Sequence, residues 1–139
     1  MAARNPQGSS SSGKGMKPAL LDSNVLIYAA NKNAESLRDF VCTAGNAAAS
    51  ITEIEVYGFA GLKDEEKGAL DILFAFLEVY ALEEHVISKA IHLRQSRRMG
   101  LADAIIAATA LVHSLPLITR NVEDFKSVDG LEVINPFEF

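Results

Sequence analysis

The 139-residue chain carries 13 Lys and Arg against 18 Asp and Glu, a formal net charge of −5 at pH 7, and 49% of its residues are hydrophobic. That length supports one domain with a sizeable core, and the acidity excludes binding of nucleic acid through a general basic surface, because such affinity comes from Lys and Arg neutralising phosphates. The single cysteine, Cys42, excludes an intrachain disulfide and suits a reducing, cytoplasmic setting, and no apolar run approaches the roughly 20 residues that span a bilayer.

Residues 1–15, "MAARNPQGSSSSGKG", lack apolar periodicity and read as a disordered leader or expression tag, with the folded unit at 16–139. Without that stretch, which carries Arg4 and Lys14, the net charge falls from −5 to −7. "PALLD" (18–22) predicts a buried strand, followed by helical "NVLIYAA" and "AESLRDFVCTA" (34–44). "AAASI" (47–51) predicts a weak strand and "TEIEVYGFAGL" a helix. Residues 64–78 open with acids that favour a helix N-terminus, and "LEVYAL" (77–82) alternates as a strand does. "EEHVISKAIHLRQSRRMG" (83–100) is amphipathic, with Val86, Ile87, Ala90, Ile91 and Leu93 as its apolar stripe and Gly100 marking its end. "LADAIIAATALV" predicts a buried helix, and "LPLIT" (115–119) and "LEVI" (131–134) close the chain as strands around "VEDFK". This alternation predicts a parallel sheet covered by helices on both faces, with ligands bound outside the carboxyl ends of the strands.

Four acids fall at that rim. Asp22 ends the first strand, Glu55 lies about one turn into the helix after the second, Asp103 sits in the first turn of the buried helix, and Asp124 follows "LPLIT". Taken singly, Asp22 reads equally as a helix cap, Glu55 as a solvated neighbour of Glu53, and Asp124 as a loop acid. Asp103 is harder to dismiss, because a helix apolar all round is buried and a buried carboxylate is normally paired, protonated or bound to metal. Converging carboxylates repel, and a divalent cation with a preference for oxygen ligands, Mg²⁺ or Mn²⁺, relieves the repulsion.

The stretches "LLDSNVLIYA", "SITEIEVYGF", "GLADAIIAATALVHSLPLITRNVEDF" and "GLEVINPF" resemble the PIN-domain ribonucleases, and among them the VapC toxins of toxin–antitoxin pairs. The resemblance covers about Lys17 to Phe137 and implies a three-layer α/β/α domain with a central five-stranded parallel sheet. It implies metal-dependent endonucleolytic hydrolysis of RNA, with Asp22 and Asp103 as ligands. The pattern of Ser50, Thr52 and Glu55 implies Glu55 over Glu53 as a third. For the fourth position Asn121 and Asp124 both match, and Asp124 is taken as the acid, with Asn121 and Thr119 supporting metal-bound water or a ligand.

For RNA contact the candidates are Arg120, which its neighbours Thr119 and Asn121 place at the implied site, and Arg98. Arg94, Arg97 and Arg98 serve equally well to complement a helix dipole. A VapB-like antitoxin and a homodimer are family expectations. Tyr28, Tyr57 and Phe59 could receive an antitoxin segment, although membership of the domain's own core is the simpler assignment. An aspartyl phosphatase is disfavoured because Asn24 stands where its second Asp is needed, and a receiver domain because "LLDSN" lacks adjacent acids. A catalytically silent PIN fold that only binds a partner is the alternative, against which Asp22, Glu55 and Asp103 speak.

Overall fold

The computed structural model describes residues 17–31 and 33–138. The expected leader lies outside the described residues. Strands β1 (Leu20–Leu21), β2 (Ala47–Ala49), β3 (Glu78–Tyr80), β4 (Leu117–Ile118) and β5 (Val133–Ile134) form one parallel sheet in the order β3-β2-β1-β4-β5. The intervening helices are α1 (Ser23–Ala29), α2 (Glu35–Val41), α3 (Ser50–Tyr57), α4 (Asp64–Ala75), α5 (Glu84–Ser96), α6 (Leu101–Val112) and the short α7 (Val122–Phe125). The chain ends in a 3₁₀ turn, Pro136–Glu138.

Successive residues of a strand point to opposite faces, and here they build two separate cores. Leu20, Ala47 and Leu117 pack with Val86, Ala90 and Leu93 of α5, with α6, and with Phe125. Leu21, Ala48 and Ile118 pack with Val25 and Leu26 of α1, Val41 of α2, Val56 of α3, and Leu70 and Leu73 of α4. The predicted three-layer arrangement is therefore present. No helix among the described residues is long and apolar enough to cross a membrane.

Several boundaries differ from the sequence expectations. The strands are shorter, because helices start as soon as the backbone clears the sheet: Asp22 already caps α1, and Ser50 already belongs to α3. Gly100 does not end α5. Arg97, with φ −159° and ψ 162°, breaks that helix, and Gly100 is instead the N-cap of α6. Ile87 and Ile91, assigned to the buried stripe, are 43% and 53% exposed, since only the Val86, Ala90 and Leu93 edge of α5 faces α6 and the sheet. "VEDFK" contributes the single turn α7, anchored by the fully buried Phe125.

The strand order places β1 at the centre, with β2 and β3 to one side and β4 and β5 to the other. The crossovers therefore diverge between β1 and β4, and at such a switch point the connecting loops part to leave a crevice at the carboxyl ends of the strands.

Candidate functional site

Asp22 and Thr119 follow β1 and β4 directly, so they flank that crevice. They bond across it: Thr119 Oγ1 donates to Asp22 Oδ2 at 2.7 Å. Thr119 Oγ1 in turn accepts from the backbone N–H of Asn121 at 3.0 Å, which fixes the direction in which the hydroxyl points. The other Asp22 oxygen, Oδ1, accepts from the Ser23 backbone N–H at 2.8 Å. Asp22 is thus both the cap of α1 and a carboxylate held at both oxygens, and it is only 4% exposed.

Glu55 arrives from the neighbouring crossover. Helix α3 packs against α1, and the Ser23 hydroxyl donates to Glu55 Oε1 at 2.8 Å. Ser23 therefore joins two acids, one through its backbone and one through its side chain. Nothing in the sequence singled out Ser23 for this role. Glu53 faces elsewhere: with burial and the Asp71 carboxylate, its charge contributes to pushing up the Tyr57 hydroxyl.

Asp103 comes from the opposite layer. Helix α6 is buried continuously from Ala104 to Ala110, so its N-terminal turn is carried on a rigid support, and Asp103 is half-buried there. Burial raises its pKa above the ordinary carboxylate range, and the charges of Asp22, Asp124 and Glu55 raise it further. For Asp22, burial also pushes upward, opposed by the hydrogen bonds from Thr119 and Ser23 and reinforced by the charge of Asp124. The charges of the other three acids selected from the sequence therefore act on Asp103 in the fold, although Asp124 and Asn121 stand on the exposed outer side. Among the described residues no three metal-ligating side chains close into a ready-made cage.

The arginines divide into two groups. Arg94 Nε donates to the Met99 carbonyl at 3.2 Å, and Arg97 Nη1 donates to the Ser127 carbonyl, so these two side chains tie the end of α5 to loops. Arg98 is exposed. Arg120 is also exposed and lies over the rings of Tyr28 and Phe137. The assignment of Tyr28 and Phe59 to the core does not hold: Tyr28 is 42% and Phe59 52% exposed. Phe59 falls beyond α3, which stops at Tyr57, and Tyr28 lies on the outer side of α1, away from the buried Val25, Leu26 and Ala29. Tyr57 is half-buried and donates its hydroxyl to Asp71 at 2.7 Å.

Residues 19–131 match the family model described as PIN domain. The chain belongs to the PIN domain family. Within it, similarity runs to VapC proteins: the chain is 33% identical over 94 residues to Ribonuclease VapC of Rickettsia bellii, covering 60% of this chain and 69% of that protein. It is 49% identical to Ribonuclease VapC1 of Rickettsia felis over a shorter stretch of 41 residues, which spans 30% of this chain and 31% of that relative. Among solved structures, a toxin-antitoxin complex from Klebsiella pneumoniae superposes with a TM-score of 0.70 at 32% identity, covering 87% of this chain and 99% of the other. The PIN domain match takes in β1 through α7, and with them all four acids.

Proposed function

We propose that this PIN domain is a Mg²⁺- or Mn²⁺-dependent endoribonuclease, the toxin of a toxin–antitoxin pair, restrained in the cytoplasm by a VapB-like antitoxin. The observation that carries the reading is the convergence of Asp22, Glu55, Asp103 and Asp124, from four different crossovers, at the switch point of the sheet. The similarity to proteins named Ribonuclease VapC supports RNA as the substrate.

The donor set fits a hard divalent cation. Such an ion is typically held by one or two carboxylates and keeps several waters, so an open arrangement of acids suits it and a closed protein cage is not required. Asp22 and Asp103 are the proposed ligands, with Glu55 and Asp124 completing the acidic rim. When bound, the ion supplies water activation and offsets charge on the phosphate. The chain's own residues do the positioning. Thr119 and Ser23 fix both Asp22 oxygens, Ser23 bonds Glu55, and the buried α6 carries Asp103 on its first turn. Asn121 orients the Thr119 hydroxyl through its backbone, and it is exposed, as Asp124 is. Arg120 and Arg98 are the proposed phosphate contacts. A homodimer is part of the proposal and is read by analytical ultracentrifugation.

The test is cleavage of single-stranded RNA with added Mg²⁺ or Mn²⁺ by the wild type and by Asp103→Asn, both confirmed folded by circular dichroism. Cleavage by the wild type alone is expected. Equal activity in both removes the site assignment, and no activity in either leaves the catalytically silent partner-binding module.

A further inference from the structure

Tyr28, Arg120 and Phe137 come from three separate parts of the chain and meet on the surface. The Tyr28 and Phe137 rings pack edge to face, with centroids 4.8 Å apart and planes at 72°. The Arg120 guanidinium lies 4.7 Å from the Phe137 centroid and 5.4 Å from that of Tyr28. Both rings remain exposed, at 42% and 40%. A cleft of about 430 Å³ opens beside them, with Ala34, Leu37, Phe40 and Pro136 among its walls. That volume falls within the ~300–1,000 Å³ of clefts that hold small organic groups.

The position of this cluster relative to the acids is set by the backbone. Arg120 directly follows Thr119, whose hydroxyl holds Asp22. Tyr28 stands near the end of the helix that Asp22 caps, about 9 Å along its axis at 1.5 Å per residue. That backbone span is what a nucleotide bound by its phosphate at the acids would bridge to set its own base, or its neighbour's, on these rings.

We propose that Tyr28, Phe137 and Arg120 form a stacking platform for an unpaired base of the RNA next to the cleaved phosphate. The proposal rests on the ribonuclease reading above. Two observations favour a base over another occupant. The chain is acidic overall, so phosphate neutralisation is a poor source of affinity and the base faces must supply more of it. The groups assembled here, two aromatic rings and a planar guanidinium, are the side-chain types on which single-stranded nucleic acid stacks. Arg120 also brings a positive charge to the edge of an otherwise acidic site.

The experiment measures fluorescence anisotropy of a labelled oligoadenylate and of an abasic sugar–phosphate oligomer of equal length and charge. Both are titrated with the Asp103→Asn protein, which prevents turnover. The platform predicts that the oligoadenylate binds about tenfold or more tightly than the abasic oligomer. Adding Tyr28→Ala or Phe137→Ala should abolish that preference while leaving affinity for the abasic oligomer unchanged, and Tyr28→Phe, which keeps the ring, should restore it. No preference for bases, or a preference that survives both alanine variants in folded protein, overturns the proposal. Cleavage of RNA by the wild type reports separately on the ribonuclease reading. With cleavage intact and the base preference absent, the platform alone falls; without cleavage, both fall.

Discussion

Helices α5 and α6 adjoin in sequence, pack against each other and have nearly the same length, yet they treat charge in opposite ways. In α5 only Val86, Ala90 and Leu93 are buried, and Glu84 in its first turn is exposed to water. In α6 every residue from Ala104 to Ala110 is buried, and the acid of its first turn, Asp103, is half-buried among three other carboxylates. Both acids occupy the favourable end of a helix dipole. The difference lies in what surrounds them: Glu84 is solvated, whereas Asp103 loses water and faces like charges. An acid in a helix's first turn is thus uninformative until the burial of the rest of that helix is known.

The comparison can be broken most severely through the cores of the two helices. Ile106→Ala in α6 empties a site that is 1% exposed and should destabilise by ~2–5 kcal/mol, whereas Ile91→Ala in α5 should change stability by less than ~0.5 kcal/mol. Urea denaturation of both variants measures the contrast. Similar values would mean that α6 is not the rigid support assigned to it.

A smaller effect is expected from the hydroxyl that holds Asp22. Thr119→Val keeps the shape of the side chain but removes the donor to Asp22 Oδ2 and the acceptor for Asn121. Cleavage at limiting Mg²⁺ should fall by about 10- to 100-fold, the usual range for a residue that orients a ligand, and should recover in part as Mg²⁺ is raised. A loss that no metal concentration relieves would point to a structural role alone.

Charge removal should separate the two helices by sign. In metal-free buffer at neutral pH, Asp103→Asn should raise Tm by a few degrees, because the folded state holds this carboxylate above its ordinary pKa and ionising it is more costly there than in the unfolded chain. The sign fixes the pH dependence. The contribution of protonated Asp103 is fully present below about pH 3.9, the unfolded value, and is lost as pH rises through the higher folded pKa. The advantage of the Asn variant should therefore shrink on acidification, and calorimetry across pH 4 to 7 reads it. A constant difference would argue against coupling among the four acids. The smallest expected effect belongs to Glu84→Gln, which should cost about 0.3–1 kcal/mol through the helix dipole and leave RNA cleavage untouched.

Much of this organisation was legible along the chain. The apolar runs at "PALLD", "AAASI" and "LPLIT" located three strands, and the near-absence of charge in "LADAIIAATALV" singled out Asp103, because periodicity records how much of each element is buried. The acids at 22, 103 and 124 could be found because each follows a strand directly or falls in a helix's first turn, whereas Glu55, well inside α3, was singled out over Glu53 only by the spacing from Ser50 and Thr52. Element ends were less accessible. Nothing local distinguishes a Gly that ends α5 from a Gly that begins α6, and Ile87 and Ile91 fit an apolar stripe that the packing of α6 leaves in water.

What the sequence determined by itself is the alternation of strand and helix and the chemical type of the site, since both are written in local pattern and residue identity. What only the tertiary structure decided is which groups meet. The hydrogen bond between Asp22 and Thr119 joins residues 97 positions apart, the Ser23 bridge to Glu55 crosses 32, and the Tyr28, Arg120 and Phe137 cluster draws on both ends of the described chain. Such contacts depend on strand order, and a sheet that places β4 beside β1 brings together residues whose separation in sequence carries no trace of it.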